Sequence, residues 1–148
     1  MSIHIHKRHN VTALVYHLVC PAKYRRVVMT EKVDQVIKEA CIQISLRYDL
    51  HFLEIGTDQD HVHFLIQSVP VYAPTKITRI IKSITAREVF EKVPDVKMKL
   101  WGGQFWSDGF FMNTVGKEYT EQAVREYVRE QGREKEYIAI HQDQLKLF

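Results

Sequence analysis

Asp60-His61-Val62-His63-Phe64-Leu65-Ile66 sets two histidines one residue apart in a run that is otherwise apolar after its first residue. Side chains on a strand alternate between faces, so His61 and His63 share one face while Val62, Phe64 and Ile66 point the other way, toward a core. At about 3.3 Å of rise per residue the two imidazoles are anchored roughly 6 to 7 Å apart, close enough for both rings to lean onto one ion. The pattern therefore predicts a half-buried strand with a two-nitrogen clamp on the sheet surface. The bland reading of the same residues is a pair of ordinary surface histidines, and a third ligand and a reactive group must be found elsewhere to favour the clamp.

The chain has 148 residues, of which 45% are hydrophobic, with seven Phe, seven Tyr and two Trp. That is enough for one domain with its own core and speaks against disorder of the whole chain. Lys and Arg exceed Asp and Glu by 21 to 18, an excess that permits a polyanionic partner without requiring one. Cys20 and Cys41 lie far apart in apolar patterns with no C-x-x-C spacing, and read as buried small hydrophobes in a reducing compartment. No stretch approaches the roughly 18 apolar residues of a membrane helix, and Met1 to His9 carry no apolar signal core, so the expectation is a cytoplasmic protein with no membrane partner.

Along the chain, Asn10 to Cys20 reads as a long first strand ending at Pro21. The loop after it holds Lys23-Tyr24-Arg25-Arg26, three cations around a ring, suited to phosphate contact and base stacking and equally compatible with a solvated basic loop. Thr30 can cap a helix whose apolar positions are Val33, Val36, Ile37, Ala40, Cys41 and Ile44. His51 to Gly56 is a second strand, and Thr57 to Asp60 supply the turn that brings the histidine strand back beside it. A second helix begins at Thr75, with Ile77, Ile80, Ile81, Ile84 and Val89 inward and Lys76, Arg79, Lys82 and Arg87 outward. Arg79 and Lys82 on that face are candidates for following a nucleic-acid backbone, against the alternative of a solvated face. Leu100 to Trp106 and Phe110 to Val115 read as a further strand pair turned at Ser107-Asp108-Gly109. A helix capped by Thr120 runs to about Gln131, stops at Gly132, and leaves 133–148 as a tail beyond a single domain of 1–132. Hairpins with helices on one face indicate an α+β antiparallel sheet of the ferredoxin-like or RNA-recognition type, with the histidine strand near its middle.

Tyr127 and Gln131 are four apart on the last helix and so lie on one face of it. With that pair the chain resembles the HUH single-tyrosine transposases of small bacterial and archaeal insertion sequences and their REP-associated relatives. The matching segments are Tyr16-His17-Leu18-Val19 with Lys23-Tyr24-Arg25-Arg26, Asp60-His61-Val62-His63-Phe64-Leu65, Leu100-Trp101-Gly102-Gly103-Gln104-Phe105-Trp106-Ser107-Asp108-Gly109, Thr114-Val115-Gly116, and Tyr127-Val128-Arg129-Glu130-Gln131. They follow the family's order over residues 11 to 131. Phe110 stands where relatives often carry tyrosine.

The resemblance implies a metal-dependent single-strand endonuclease and strand transferase. His61, His63 and the side-chain oxygen of Gln131 would bind a divalent ion, Mg²⁺ or Mn²⁺, and Tyr127 would attack a DNA phosphodiester to give a 5′-phosphotyrosine and a free 3′-hydroxyl. It implies a homodimer whose subunits share their active sites, and single-stranded DNA with hairpin ends as substrate; the charge pattern makes Lys23, Arg25, Arg26, Arg79 and Lys82 the candidates for gripping it. A phenol titrates at about 10, and the sequence names no general base for it. Asp60 can orient an imidazole from behind, but its side chain points away if the strand has already begun there. Two other readings stay open, a nickase or replication-type protein with no element to move, and a non-enzymatic nucleic-acid binder of RNA-recognition-like fold.

Overall fold

The computed structural model describes residues 5–6, 11–12, 14–100 and 103–115. Thr30 caps the first helix as its hydroxyl accepts from the Val33 amide at 3.2 Å, and Glu31 and Asp34 occupy the first turn where the helix dipole favours acids. The elements are β1 (Ile5–His6), β2 (Val11–Thr12), β3 (Leu14–Pro21), α1 (Glu31–Arg47), β4 (His51–Thr57), β5 (His61–Ser68), α2 (Pro74–Lys92), α3 (Pro94–Lys99) and β6 (Phe111–Thr114). β1 and β2 pair with each other, and the other four strands form one antiparallel sheet in the order β4-β5-β3-β6. Leaving aside the small β1–β2 pair and the short α3, the sequence of elements is βαββαβ, the ferredoxin-like arrangement, with the histidine strand in the interior of the sheet.

Every apolar position expected on the two long helices is buried. Val33, Val36, Ile37, Ala40, Cys41 and Ile44 of α1 and Ile77, Ile80, Ile81, Ile84 and Val89 of α2 pack onto Leu18 and Cys20 of β3 and Val62, Phe64 and Ile66 of β5. Each isoleucine so buried contributes about 1.5 to 3 kcal/mol of transfer free energy, which is why the helices settle on this face of the sheet. Val15, Leu53 and Leu65 form a smaller apolar cluster apart from it. The strict alternation along β5 therefore delivers His61 and His63 to the face opposite the helices.

Three features depart from expectation. The stretch expected as one first strand contributes to two sheets, β2 pairing with β1 and β3 lying in the four-stranded sheet, and α3 forms after Pro94, whose ring suits the first turn of a helix. Among the described residues the expected strand pair around Ser107-Asp108-Gly109 does not form: β6 pairs with β3, and Trp106 makes a single bridge, to Ala22. The reason is packing. Phe105 and Trp106 are both buried, Phe105 edge-on to Phe90 and Trp106 edge-on to Phe64, and the indole N–H donates to the Thr85 hydroxyl at 2.9 Å. Consecutive side chains drawn into one core cannot alternate faces as a strand requires. The helix expected from Thr120, with Tyr127 and Gln131, and the tail 133–148 lie outside the described residues.

Candidate active site

The two imidazoles of β5 sit with ring centroids 4.8 Å apart and planes at 73°. Each has its Nδ1 engaged. Asp60 precedes the first residue of β5 rather than belonging to the strand, so it is free of the alternation that would have aimed it away, and its Oδ1 lies 2.7 Å from His61 Nδ1. The same carboxylate receives Arg25, with Nε at 3.1 Å from Oδ2 and Nη2 at 3.5 Å from Oδ1. On the other side His63 Nδ1 lies 3.1 Å from Nε2 of His17 on β3, the rings meeting edge to edge with centroids 5.3 Å apart and planes 16° from parallel. In the antiparallel register His63 faces Val19 and His17 faces Leu65, so the two histidines are diagonal neighbours on one face, within reach of ring side chains.

The clamp is not the open surface that the half-buried pattern predicts, since His61 is 2%, His63 0% and His17 1% exposed. Alternation decides which face a residue takes, and it carries no information about what covers that face.

The donor set suits a divalent cation. Imidazole nitrogens bind first-row divalent metals, and metal-ligating histidines characteristically have the other ring nitrogen hydrogen-bonded, as both have here. Among the described residues no group of three or more His, Cys, Asp or Glu side chains is placed to hold an ion. A third protein ligand would have to be of another type or come from elsewhere, and Gln131 lies outside the described residues.

The basic residues divide into different situations. Lys23 to Arg25 form one turn of 3₁₀ helix in which Tyr24 and Arg25 have φ of 59° and 53°, the left-handed region that non-glycine residues rarely adopt. Backbone bonds from Ala22 to the Asp60 carbonyl and from Lys23 to the Phe105 carbonyl, both 2.8 Å, hold the turn in place. The result turns Arg25 toward Asp60 and leaves Tyr24 66% exposed with the Lys23 ammonium 5.3 Å from its ring. Arg26 is exposed and lines a groove with Tyr24 and Lys99. Arg79 is exposed beside a separate open groove of about 600 Å³ between α2 and the 103–110 segment. Lys82 is different: its ammonium donates to the carbonyls of Ser107, Asp108 and Gly109 at 2.8, 3.3 and 3.0 Å. Three ammonium hydrogens meet three carbonyls of its own chain, so Lys82 ties down a loop. His17 joins the site although its own segment gives no sign of a role there. It stood in the quoted segment Tyr16 to Val19, and its separation of 46 residues from His63 hid the connection.

The IS200-like transposase family model matches residues 10–131. The chain belongs to that family. The ISDra2 transposase TnpA of Deinococcus radiodurans is 32% identical over 121 residues, covering 82% of this chain and 86% of that protein. The transposase for insertion sequence element IS200 of Salmonella typhimurium is 26% identical over 120 residues, covering 78% of this chain and 75% of that one. Among solved structures, a Deinococcus radiodurans R1 protein described as a transposase superimposes with a TM-score of 0.69 at 27% identity, covering 87% of this chain and 98% of the other. A REP-associated tyrosine transposase bound to a REP hairpin shares the fold with a TM-score of 0.58 at 13% identity, covering 86% of this chain and 70% of that one. This IS200-like transposase has, among its described residues, no helix long and apolar enough to cross a membrane.

Proposed function

We propose that this IS200-like transposase cuts and rejoins single-stranded DNA at the ends of an insertion sequence through a 5′-phosphotyrosine on Tyr127. The observation that carries the reading is the pair of imidazoles on β5, 4.8 Å apart with both Nδ1 atoms engaged, in a chain of this family. His61 and His63, with Gln131 as third ligand, would hold Mg²⁺ or Mn²⁺. When bound, such an ion supplies Lewis-acid polarisation of a phosphoryl oxygen.

The covalent step balances without a nucleotide cofactor. The Tyr127 phenol oxygen forms a bond to phosphorus as its proton departs, the bond from phosphorus to the 3′-oxygen breaks, and that oxygen leaves with the electron pair and is protonated to a 3′-hydroxyl. In the reverse sense a second 3′-hydroxyl attacks the phosphotyrosine, the bond to the phenol breaks, and the phenol is reprotonated. One phosphodiester is exchanged for another, whereas attack by water would end the sequence at a cut. Arg26 and Arg79, both exposed, and Lys23 beside the Tyr24 ring are the contacts proposed for the DNA backbone. Hairpin ends as substrate, and a homodimer whose subunits share their sites, complete the proposal. The fold-sharing REP-associated transposase in its hairpin complex accords with the first of these.

The test uses a labelled single-stranded oligonucleotide carrying an element end, with Mn²⁺. The wild-type chain should give an adduct that survives denaturing electrophoresis, and Tyr127→Phe should give none while still retarding the oligonucleotide. An adduct formed by the variant would overturn the assignment.

A further inference from the structure

The two hydrogen bonds behind the histidine pair do more than hold the rings still. A carboxylate only accepts, so the proton shared between Asp60 Oδ1 and His61 Nδ1 is an imidazole proton, and a neutral His61 then has its lone pair on Nε2. The corresponding bond at His63 is between two imidazoles, and its direction is a choice. If His17 donates from Nε2, His63 accepts at Nδ1 and carries its own proton on Nε2, where no cation can bind it. If His63 donates, its lone pair is on Nε2, matching His61. We propose that His17 is a positioning residue of the clamp: it accepts from His63 Nδ1, carries its own proton on Nδ1, and thereby sets His63 in the one neutral tautomer that presents Nε2 to an ion. Asp60, braced by Arg25, does the same for His61.

The direction follows from the need for a lone pair at His63 Nε2, and three observations support the positioning contact itself. His17 and His63 lie 16° from coplanar on adjacent strands of the sheet, so the 3.1 Å contact is built by the β3–β5 register rather than by a mobile side chain. Both rings are buried, at 1% and 0% exposure, so the nitrogens that face each other are satisfied by one another and not by bulk water. The Arg25 guanidinium reaches the Asp60 carboxylate through two nitrogens, fixing the carboxylate behind His61 in the same manner. Arg25 on this account acts through Asp60 on the clamp, while Arg26 and Lys23 of the same turn are left to face DNA.

The inference rests on the metal-clamp reading, and the experiment separates the two. Long-range ¹H–¹⁵N spectra of the full wild-type chain, labelled at histidine and free of metal, should show the Nδ1–H tautomer at His61, His63 and His17. An Nε2–H tautomer at His63 would overturn the role of His17 without any substitution having been made. Mn²⁺ affinity of the full chain, read by electron paramagnetic resonance in the absence of DNA, is the second arm. His17→Leu, which removes the acceptor, should weaken Mn²⁺ binding by about 10- to 100-fold, the usual effect of losing such a partner. His17→Gln, whose amide oxygen can accept the same proton, should restore most of it. Equal affinity in the folded His17→Leu chain would overturn the inference, and so would a Gln variant as weak as the Leu variant. If wild type and His61→Ala bind Mn²⁺ alike, the clamp itself fails and this inference with it.

Discussion

At the scale of single residues, burial dominates the chemistry of the groups that the site does not use. Burial pushes the Cys20 thiol up from 9.0 to about 12, against the opposing pull of the Lys82 ammonium. Cys41 is likewise raised, by burial first and by Cys20 second. Both are therefore neutral packing groups, in line with their apolar sequence surroundings. A thiol whose folded pKa exceeds its unfolded value stabilises the fold fully below pH 9.0, and that contribution is lost as the pH rises toward the folded value. Iodoacetamide at neutral pH should leave both cysteines unmodified by mass spectrometry until denaturant is added, and thermal stability should decline as the pH is raised above 9.0. Modification of the folded chain at neutral pH would contradict this. A second residue-scale prediction concerns the buried indole: Thr85→Val removes the acceptor of the Trp106 N–H bond and should destabilise by about 1 to 3 kcal/mol in urea unfolding.

At the scale of elements, α2 does two jobs with one amphipathic pattern. Its apolar stripe packs on the sheet, and its outer face contributes Lys82 to the 107–109 carbonyls and Arg79 to the solvent. The two cations look equivalent in sequence, yet only one is available to a polyanion. Arg79→Ala should reduce the dependence of DNA affinity on salt by roughly one counterion, whereas Lys82→Met should leave that slope unchanged and instead speed amide exchange over 107–109. A smaller salt slope for Lys82→Met, with exchange unaltered, would reverse the two assignments. The turn at Lys23 to Arg25 shows the same logic in a loop: two consecutive left-handed residues are disfavoured sterically and persist here because bonds to Asp60 and Phe105 backbone carbonyls over-determine them.

At the scale of the whole molecule, the proposal places the nucleophile and the clamp in different subunits of a dimer. Mixing inactive Tyr127→Phe with inactive His63→Ala chains is the measurement. Shared sites predict that the mixture regains cleavage after subunit exchange, because a mixed dimer joins the intact histidines of one chain to the intact tyrosine of the other. Persistent inactivity of verified mixed dimers would place each site within one chain.

Much of this protein was legible in its sequence because the decisive forces there are local and periodic. Alternation in Val62, Phe64 and Ile66 determined which way His61 and His63 face, threefold and fourfold spacing determined the buried stripes of both long helices, and Thr30 announced the start of the first. The family segments, spread over most of the chain, named the chemistry to look for. Tertiary structure alone decided who stands behind those residues. His17 meets His63 across 46 residues, Arg25 meets Asp60 across 35, and Lys82 meets the 107–109 carbonyls across 25 to 27. Such pairings depend on strand register and on the collapse of Phe105 and Trp106 into the core, and no periodicity within a segment encodes the partner that another segment brings.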